Sequence, residues 1–141
     1  MKRDAIPTSP VLDTHAWLWW MDRDPRLGEA ALEALDSLPG ERRPYLCDIS
    51  LWEVAMLVGG GRMSVDGSLL GWLDAAAHPR TVRVIPIVPA IAAEAASLPQ
   101  AFRGDSADRL IVATCRALDV PLLSHDSRIL QSRLVKRWTP S

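Results

Sequence analysis

Four carboxylates in this chain stand where an apolar run ends or a helical pattern begins: Asp13, Glu53, Asp108 and Asp126. Asp13 follows Val11-Leu12, and Asp126 follows Leu122-Leu123-Ser124-His125. Glu53 lies one turn into a segment that starts at Ser50, and Asp108 opens the helical pattern Asp108-Arg-Leu-Ile-Val-Ala-Thr. In an open parallel α/β sheet, strand ends and helix starts meet along one edge, where ligands bind. Acids gathered there repel one another, and a divalent cation relieves that repulsion. Asp105, three residues before Asp108, shares its helical face and adds a fifth acid. Carboxylates without Cys or His ligand spacing favour a hard cation, Mg²⁺ or Mn²⁺. The chemistry that follows is metal-dependent phosphodiester hydrolysis. Thr14 and Ser50 offer hydroxyls beside these acids for positioning water or metal.

Each acid also has a local reading. Ser50-Leu-Trp-Glu53 is a capping-box pattern, in which the glutamate bonds back to its own helix start. Asp105 is a natural N-cap, with Asp108 favourable in the first turn; Asp13 and Asp126 are each placed to cap the helix that follows. Capping is served as well by Ser, Thr or Asn. A carboxylate at all four places, from four separate parts of the chain, favours a shared site.

The elements that must position these acids alternate between strand and helix. Val11–Asp13 reads as a short buried strand leading into a helix near 15–22, and residues 26–38 as an amphipathic helix with Leu27, Ala31, Leu35 and Leu38 at helical spacing. Tyr45–Cys47 is a second strand, and a helix over 50–58 is stopped by Gly59-Gly60-Gly61. A helix over 69–77 precedes a β-branched strand over 81–88, and Pro89 opens an alanine-rich helix through Ala96. A loop then leads to a helix over 106–118, a strand over 121–124, a short helix over 126–132 and an edge strand over 134–138. This alternation predicts a parallel sheet covered on both faces.

At 141 residues the chain suits one domain with one good core. A net charge of −1 argues against a nonspecific electrostatic coat for nucleic acid. Of 16 basic residues only Lys2 and Lys136 are lysines, so cationic contacts would come from arginine. Cys47 and Cys115 suggest neither a zinc site nor a disulfide framework, which fits a reduced, cytoplasmic compartment. Neither a signal peptide nor a membrane span is read.

Four segments, in order, carry a family resemblance. Val11-Leu-Asp-Thr-His-Ala-Trp-Leu-Trp-Trp resembles the opening motif of PIN-domain toxins of the VapC type. Ile49-Ser-Leu-Trp-Glu-Val-Ala-Met-Leu, with Gly61-Arg-Met after it, resembles the second. Asp105-Ser-Ala-Asp108-Arg-Leu-Ile-Val-Ala-Thr resembles the third, and Leu123-Ser-His-Asp126 the fourth. The resemblance runs over residues 11–130, and its specificity lies in the ordered set. It implies a PIN-like α/β/α sandwich and a Mg²⁺- or Mn²⁺-dependent endoribonuclease, the toxin of a toxin–antitoxin pair. Asp13, Glu53, Asp108 and Asp126 match the family's acidic quartet, with Asp13, Asp105, Asp108 and Asp126 as the implied metal ligands. Ser106 departs from the pattern, standing where a proline commonly follows the Asp105-type acid. The expected partners are RNA, a cognate antitoxin protein and a second copy of the chain.

The remaining side chains are weighed against the same frame. His15 and His125 flank Asp13 and Asp126 and read as helix-start polar residues in preference to substrate contacts. Arg62 and Arg109 are the arginines nearest the motifs, placed for RNA phosphate, an antitoxin carboxylate or, for Arg109, a neighbouring acid. Of six tryptophans most are expected in the core. Trp17 and Trp20 share a helical face and Trp19 points elsewhere; at least one of the three is expected at a partner surface, since the resembled family packs a partner helix near there. A phospho-acceptor receiver domain is disfavoured because no lysine lies between Lys2 and Lys136. A dehalogenase-type phosphatase would want an Asp where His15 stands. A catalytically silent PIN-like or acidic-pocket module that binds RNA or protein is the standing alternative, and the intact acid set weighs against it.

Overall fold

The computed structural model describes residues 8–102 and 104–140. Its centre is a four-stranded, wholly parallel sheet in the order β3-β2-β1-β4, with β1 at Val11–Leu12, β2 at Tyr45–Cys47, β3 at Arg83–Ile85 and β4 at Leu122–Leu123. Val11 pairs with Tyr45 on one side and Leu122 on the other; Leu12 pairs with Leu46 and Leu123. β1 and β4 are buried, and β1, β2 and β4 each end within a few residues of the helix that follows. Seven helices follow: α1 (Thr14–Asp22), α2 (Glu29–Asp36), α3 (Ile49–Gly59), α4 (Leu69–Ala76), α5 (Pro89–Ser97), α6 (Ser106–Leu118) and α7 (Ser127–Gln131).

The pleat separates two apolar layers, since alternate strand residues point to opposite faces. Leu12, Leu46 and Leu123 enter a cluster with Trp17 and Trp20 of α1, Ala31 and Leu35 of α2, Val54 of α3 and Ala76 of α4. Val11, Cys47 and Leu122 enter the other, with Ile111, Val112 and Cys115 of α6 and Ile129 of α7. The result is the three-layer α/β/α sandwich that the alternation of elements implies.

Three elements differ from the sequence reading. The third strand covers only residues 83–85, because Pro86 has no N–H to donate to the ladder; Ile87 and Val88 beyond it are exposed. The helix expected over 26–38 divides into a 3-10 turn at Pro25–Leu27 and α2, the break falling at Gly28 with φ 99°. The expected edge strand at 134–138 shrinks to one parallel bridge, Leu122 with Arg137, although the two hydrogen bonds at Leu122 pin that segment firmly against β4. Among the described residues no helix is long and apolar enough to cross a membrane.

Candidate active site

The acids meet where the parallel strands end. β1 terminates at Asp13, whose backbone N–H still bonds to the Leu123 carbonyl of β4 at 3.0 Å. Asp13 holds the N-cap place of α1 but makes no side-chain cap. Its carboxylate turns instead toward Ser124, whose hydroxyl donates to Asp13 Oδ2 at 2.6 Å and accepts the Asp126 N–H at 3.0 Å. One serine therefore ties two acids that lie on adjacent strand ends.

Glu53 also escapes its local reading. Helix α3 begins at Ile49, so Ser50 lies inside it, fully buried, and the expected capping box does not form. The Thr14 hydroxyl donates to Glu53 Oε1, and Thr14 Oγ1 is 2.8 Å from Ser50 Oγ. A hydroxyl has one proton to give, so Ser50 donates to Thr14 while Thr14 donates to Glu53. This relay aims Glu53 into the same cavity as Asp13.

On α6 the capping reading holds alongside the site reading. Asp105 Oδ1 accepts the Asp108 N–H at 2.8 Å, and Asp108 Oδ2 accepts the Asp105 N–H at 3.2 Å. Asp126 caps α7 through the Arg128 N–H at 2.9 Å. The Arg128 guanidinium lies 3.0 Å from Asp126 and 3.7 Å from Asp108. All five acids line one cavity of about 330 Å³, together with Thr14 and Arg128.

Burial and mutual repulsion raise the proton affinity of the inner acids. Burial pushes Asp13 up despite the opposing Ser124 hydrogen bond, and burial does the same to Glu53 against the Thr14 bond. Asp108 is pushed up to about 6, by burial first and the Asp105 charge second. Asp126 goes the other way, because the Arg128 guanidinium favours its charged form. Among the described residues no three His, Cys, Asp or Glu groups already converge tightly enough to hold an ion. The acids ring the cavity, and the Arg128 guanidinium bridges Asp108 and Asp126. Their chemistry fits a hard cation: the donors are carboxylate oxygens, and three of them hold protons more tightly than usual because they are buried and repelled by neighbouring acids.

Several other side chains find different places from those expected. Trp17 is fully buried and donates to the Ala76 carbonyl at 3.0 Å; Trp20 is buried and donates to Asp36 at 3.0 Å. Both are core residues, which removes them as partner contacts. Trp19 alone of the three stays half-buried, at the cavity rim with His15 and His125. Trp52, beside Glu53 on α3, is 59% exposed. Arg109 clamps the loop before α6 by donating to the Leu98 and Phe102 carbonyls, so it serves the fold and not the cavity. Ser124 and Arg128 carry parts of the site that sequence reasoning missed, although Ser124 sits inside the fourth motif and Arg128 is the first cation after it.

Comparison with known proteins places this geometry. A family model described as the PIN domain matches residues 11–134. The chain is 35% identical over 126 residues to Ribonuclease VapC22 of Mycobacterium tuberculosis (strain ATCC 25618 / H37Rv), an alignment covering 89% of this chain and 93% of that protein. The fold matches the crystal structure of FitAcB from Neisseria gonorrhoeae with a TM-score of 0.64 at 23% identity, covering 92% of this chain and 96% of that one. It matches FitAB bound to an IR36 DNA fragment with a TM-score of 0.66 at 22% identity, over 92% and 94% of the two chains. A toxin–antitoxin complex from Klebsiella pneumoniae gives 0.62 at 20% identity, over 89% and 92%.

Proposed function

Because the chain belongs to the PIN-domain family and to the VapC type within it, we propose that it is a metal-dependent endoribonuclease, the toxin of a type II toxin–antitoxin pair. One observation carries the reading: five acids from four separate chain segments line a single cavity at the carboxyl edge of the parallel sheet. Local capping explains Asp105 and Asp126, but it explains neither Asp13 nor Glu53, whose carboxylates are held by hydroxyls from other elements.

In this reading Asp13, Asp108 and Asp126, with Asp105 beside them, hold Mg²⁺ or Mn²⁺. The cation supplies a nucleophile usable near neutral pH and offsets charge that develops at phosphorus. Ser124 fixes the Asp13 carboxylate and keeps its second oxygen directed into the cavity. The Ser50–Thr14 relay occupies Glu53 Oε1 and leaves Oε2 to orient the attacking water and take its proton; burial makes that carboxylate a better base. Arg128 presents a 60% exposed guanidinium fork at the cavity mouth, suited to a phosphate oxygen. Arg128 already pairs with two of these acids, and an antitoxin that brings one more basic side chain to them would occupy the place of metal and substrate. A cytoplasmic location, action as one domain over residues 1–141 and assembly as a homodimer belong to the same proposal.

The test combines purified protein with total cellular RNA, in Mg²⁺, in Mn²⁺ and in excess EDTA, beside the Asp13→Asn variant. Cleavage that needs the ion and Asp13 is expected, and sequencing the new 5′ ends identifies the target. Undiminished cleavage in chelator would refute the metal; absence of cleavage with either ion would favour the silent binding module.

A further inference from the structure

Helix α1 carries three tryptophans and buries two. At about 100° per residue, Trp17 and Trp20 fall on one face, and Trp19 turns away from both. It packs against the edge of the core cluster, and its ring also meets polar and charged side chains. The Trp19 ring centroid is 5.3 Å from that of His125, edge to face, and 6.1 Å from that of His15 in a tilted arrangement. The Arg26 guanidinium lies 5.1 Å from the Trp19 centroid and is itself held by Asp24. Both imidazoles are exposed, and both line the acid cavity together with Trp19. Trp17, Trp20 and Trp138 each spend their indole N–H on an acceptor in the fold. The Trp19 N–H has no such acceptor among the described residues.

A core role would have buried this indole as it buried its two neighbours. What surrounds it is a half-open aromatic rim, with the Arg26 guanidinium on one side and, on the other, the acids that would hold the cation for a scissile phosphate. Proteins bind single-stranded nucleic acid with that combination, seating a base against an aromatic or guanidinium plane while the backbone follows positive charge. Resting on the ribonuclease reading, we propose that Trp19, with His15, His125 and Arg26, forms a stacking subsite for an unpaired nucleobase next to the phosphate that is cut. A base in an A-form duplex is covered by its neighbours and cannot enter such a rim. The subsite therefore selects loops and single strands, and it sets which nucleotide beside the cleaved bond is held. An antitoxin side chain on the same rim is the rival occupant; a base is favoured because its own phosphate would then lie beside the cation that these acids would hold.

The experiment measures binding by fluorescence anisotropy in EDTA, so that no RNA is cut, using a labelled 12-nucleotide single strand and a duplex of the same sequence. Trp19→Phe keeps a stacking ring, Trp19→Leu keeps apolar bulk without one, and circular dichroism confirms that both are folded. We expect the single strand to bind more tightly than the duplex, Phe to bind like the wild type and Leu to bind about tenfold more weakly. A single abasic site moved along the strand should cost the wild type about tenfold at one position and cost the Leu variant nothing further there. Equal binding by Phe and Leu variants, no sensitive abasic position, or equal affinity for duplex would each overturn the subsite. So would loss of antitoxin binding, with RNA binding intact, in the Leu variant. Failure of the ribonuclease reading shows separately, as no cleavage in Mg²⁺ or Mn²⁺ whatever the binding results.

Discussion

Replacing Asp108 by Asn should stabilise the metal-free protein, and the gain should depend on pH. Asp108 takes its proton at about 6 in the fold, against an ordinary 3.8, because it is buried beside Asp105. Between those two values the folded state holds a proton that the unfolded chain has released, so stability falls as pH rises through this window. Above about pH 7 the whole penalty is present; below about pH 4 it is gone. Two pK units correspond to about 3 kcal/mol. The side chain is 14% exposed at the mouth of a polar cavity. Screening there reduces the figure to about 1–2 kcal/mol. For a domain of this size that is a rise in Tm of about 3–6 °C. Asparagine keeps the oxygen that accepts the Asp105 N–H and so preserves the cap of α6. The assay is thermal unfolding by circular dichroism in EDTA, from pH 4.5 to 8, for both proteins. The variant should be the more stable at pH 7.5 and the gap should close toward pH 4.5. Adding Mn²⁺ should raise the wild type and move the variant less. A variant less stable than wild type at pH 7.5, or a gap independent of pH, would refute the electrostatic account of the cavity.

Three further outcomes are expected. Ser124→Ala removes the hydroxyl that ties Asp13 to Asp126. A hydrogen bond to a charged group is worth about 1.5 kcal/mol or more, so kcat should fall about tenfold with KM nearly unchanged; steady-state cleavage kinetics decide it. Trp17→Ala empties the largest fully buried side chain and leaves the Ala76 carbonyl without its donor. The loss should be about 3–5 kcal/mol in urea unfolding, enough to unfold a marginal domain. Gly104→Ala places a Cβ 2.6 Å from the Phe102 ring and 2.7 Å from Asp108 Cβ. The start of α6 must then shift, and both Tm and the stabilisation by Mn²⁺ should drop.

The acids were legible because both their chemistry and their local positions are written in the chain: a carboxylate after an apolar run says what it is and where it sits. The sheet was legible for the same reason, since β-branched and leucine runs alternate with helical spacing. Glu53 shows where local patterns stop. Ser50-x-x-Glu53 satisfies the capping-box rule, yet α3 starts one residue earlier and the glutamate finds Thr14 across a strand end. Which partner wins is decided by packing between α1 and α3, which no window around Glu53 contains. Ser124 and Arg128 were missed because their importance lies in what they touch and not in their type. The tryptophans divide on rotation about α1, and whether a turned-out indole meets solvent or a cavity depends on His125, more than a hundred residues away.

The bond from Ser124 to Asp13 joins positions separated by 111 residues. β1 is a central strand, and its partner β4 is the last of the four strands to be made. Synthesis runs from the N-terminus, so for most of its production the chain carries Asp13 on a strand with one side unpaired. The acid cavity closes only when residues 122–126 arrive and β4 inserts beside β1. Parallel pairings of such long range form slowly, because the loop between them must be closed before the contacts reward it. A growing chain that has not reached residue 126 lacks Ser124 or Asp126 and cannot complete the acid cavity. The site is thus assembled in one late step, the pairing of β4 with β1, and not acid by acid.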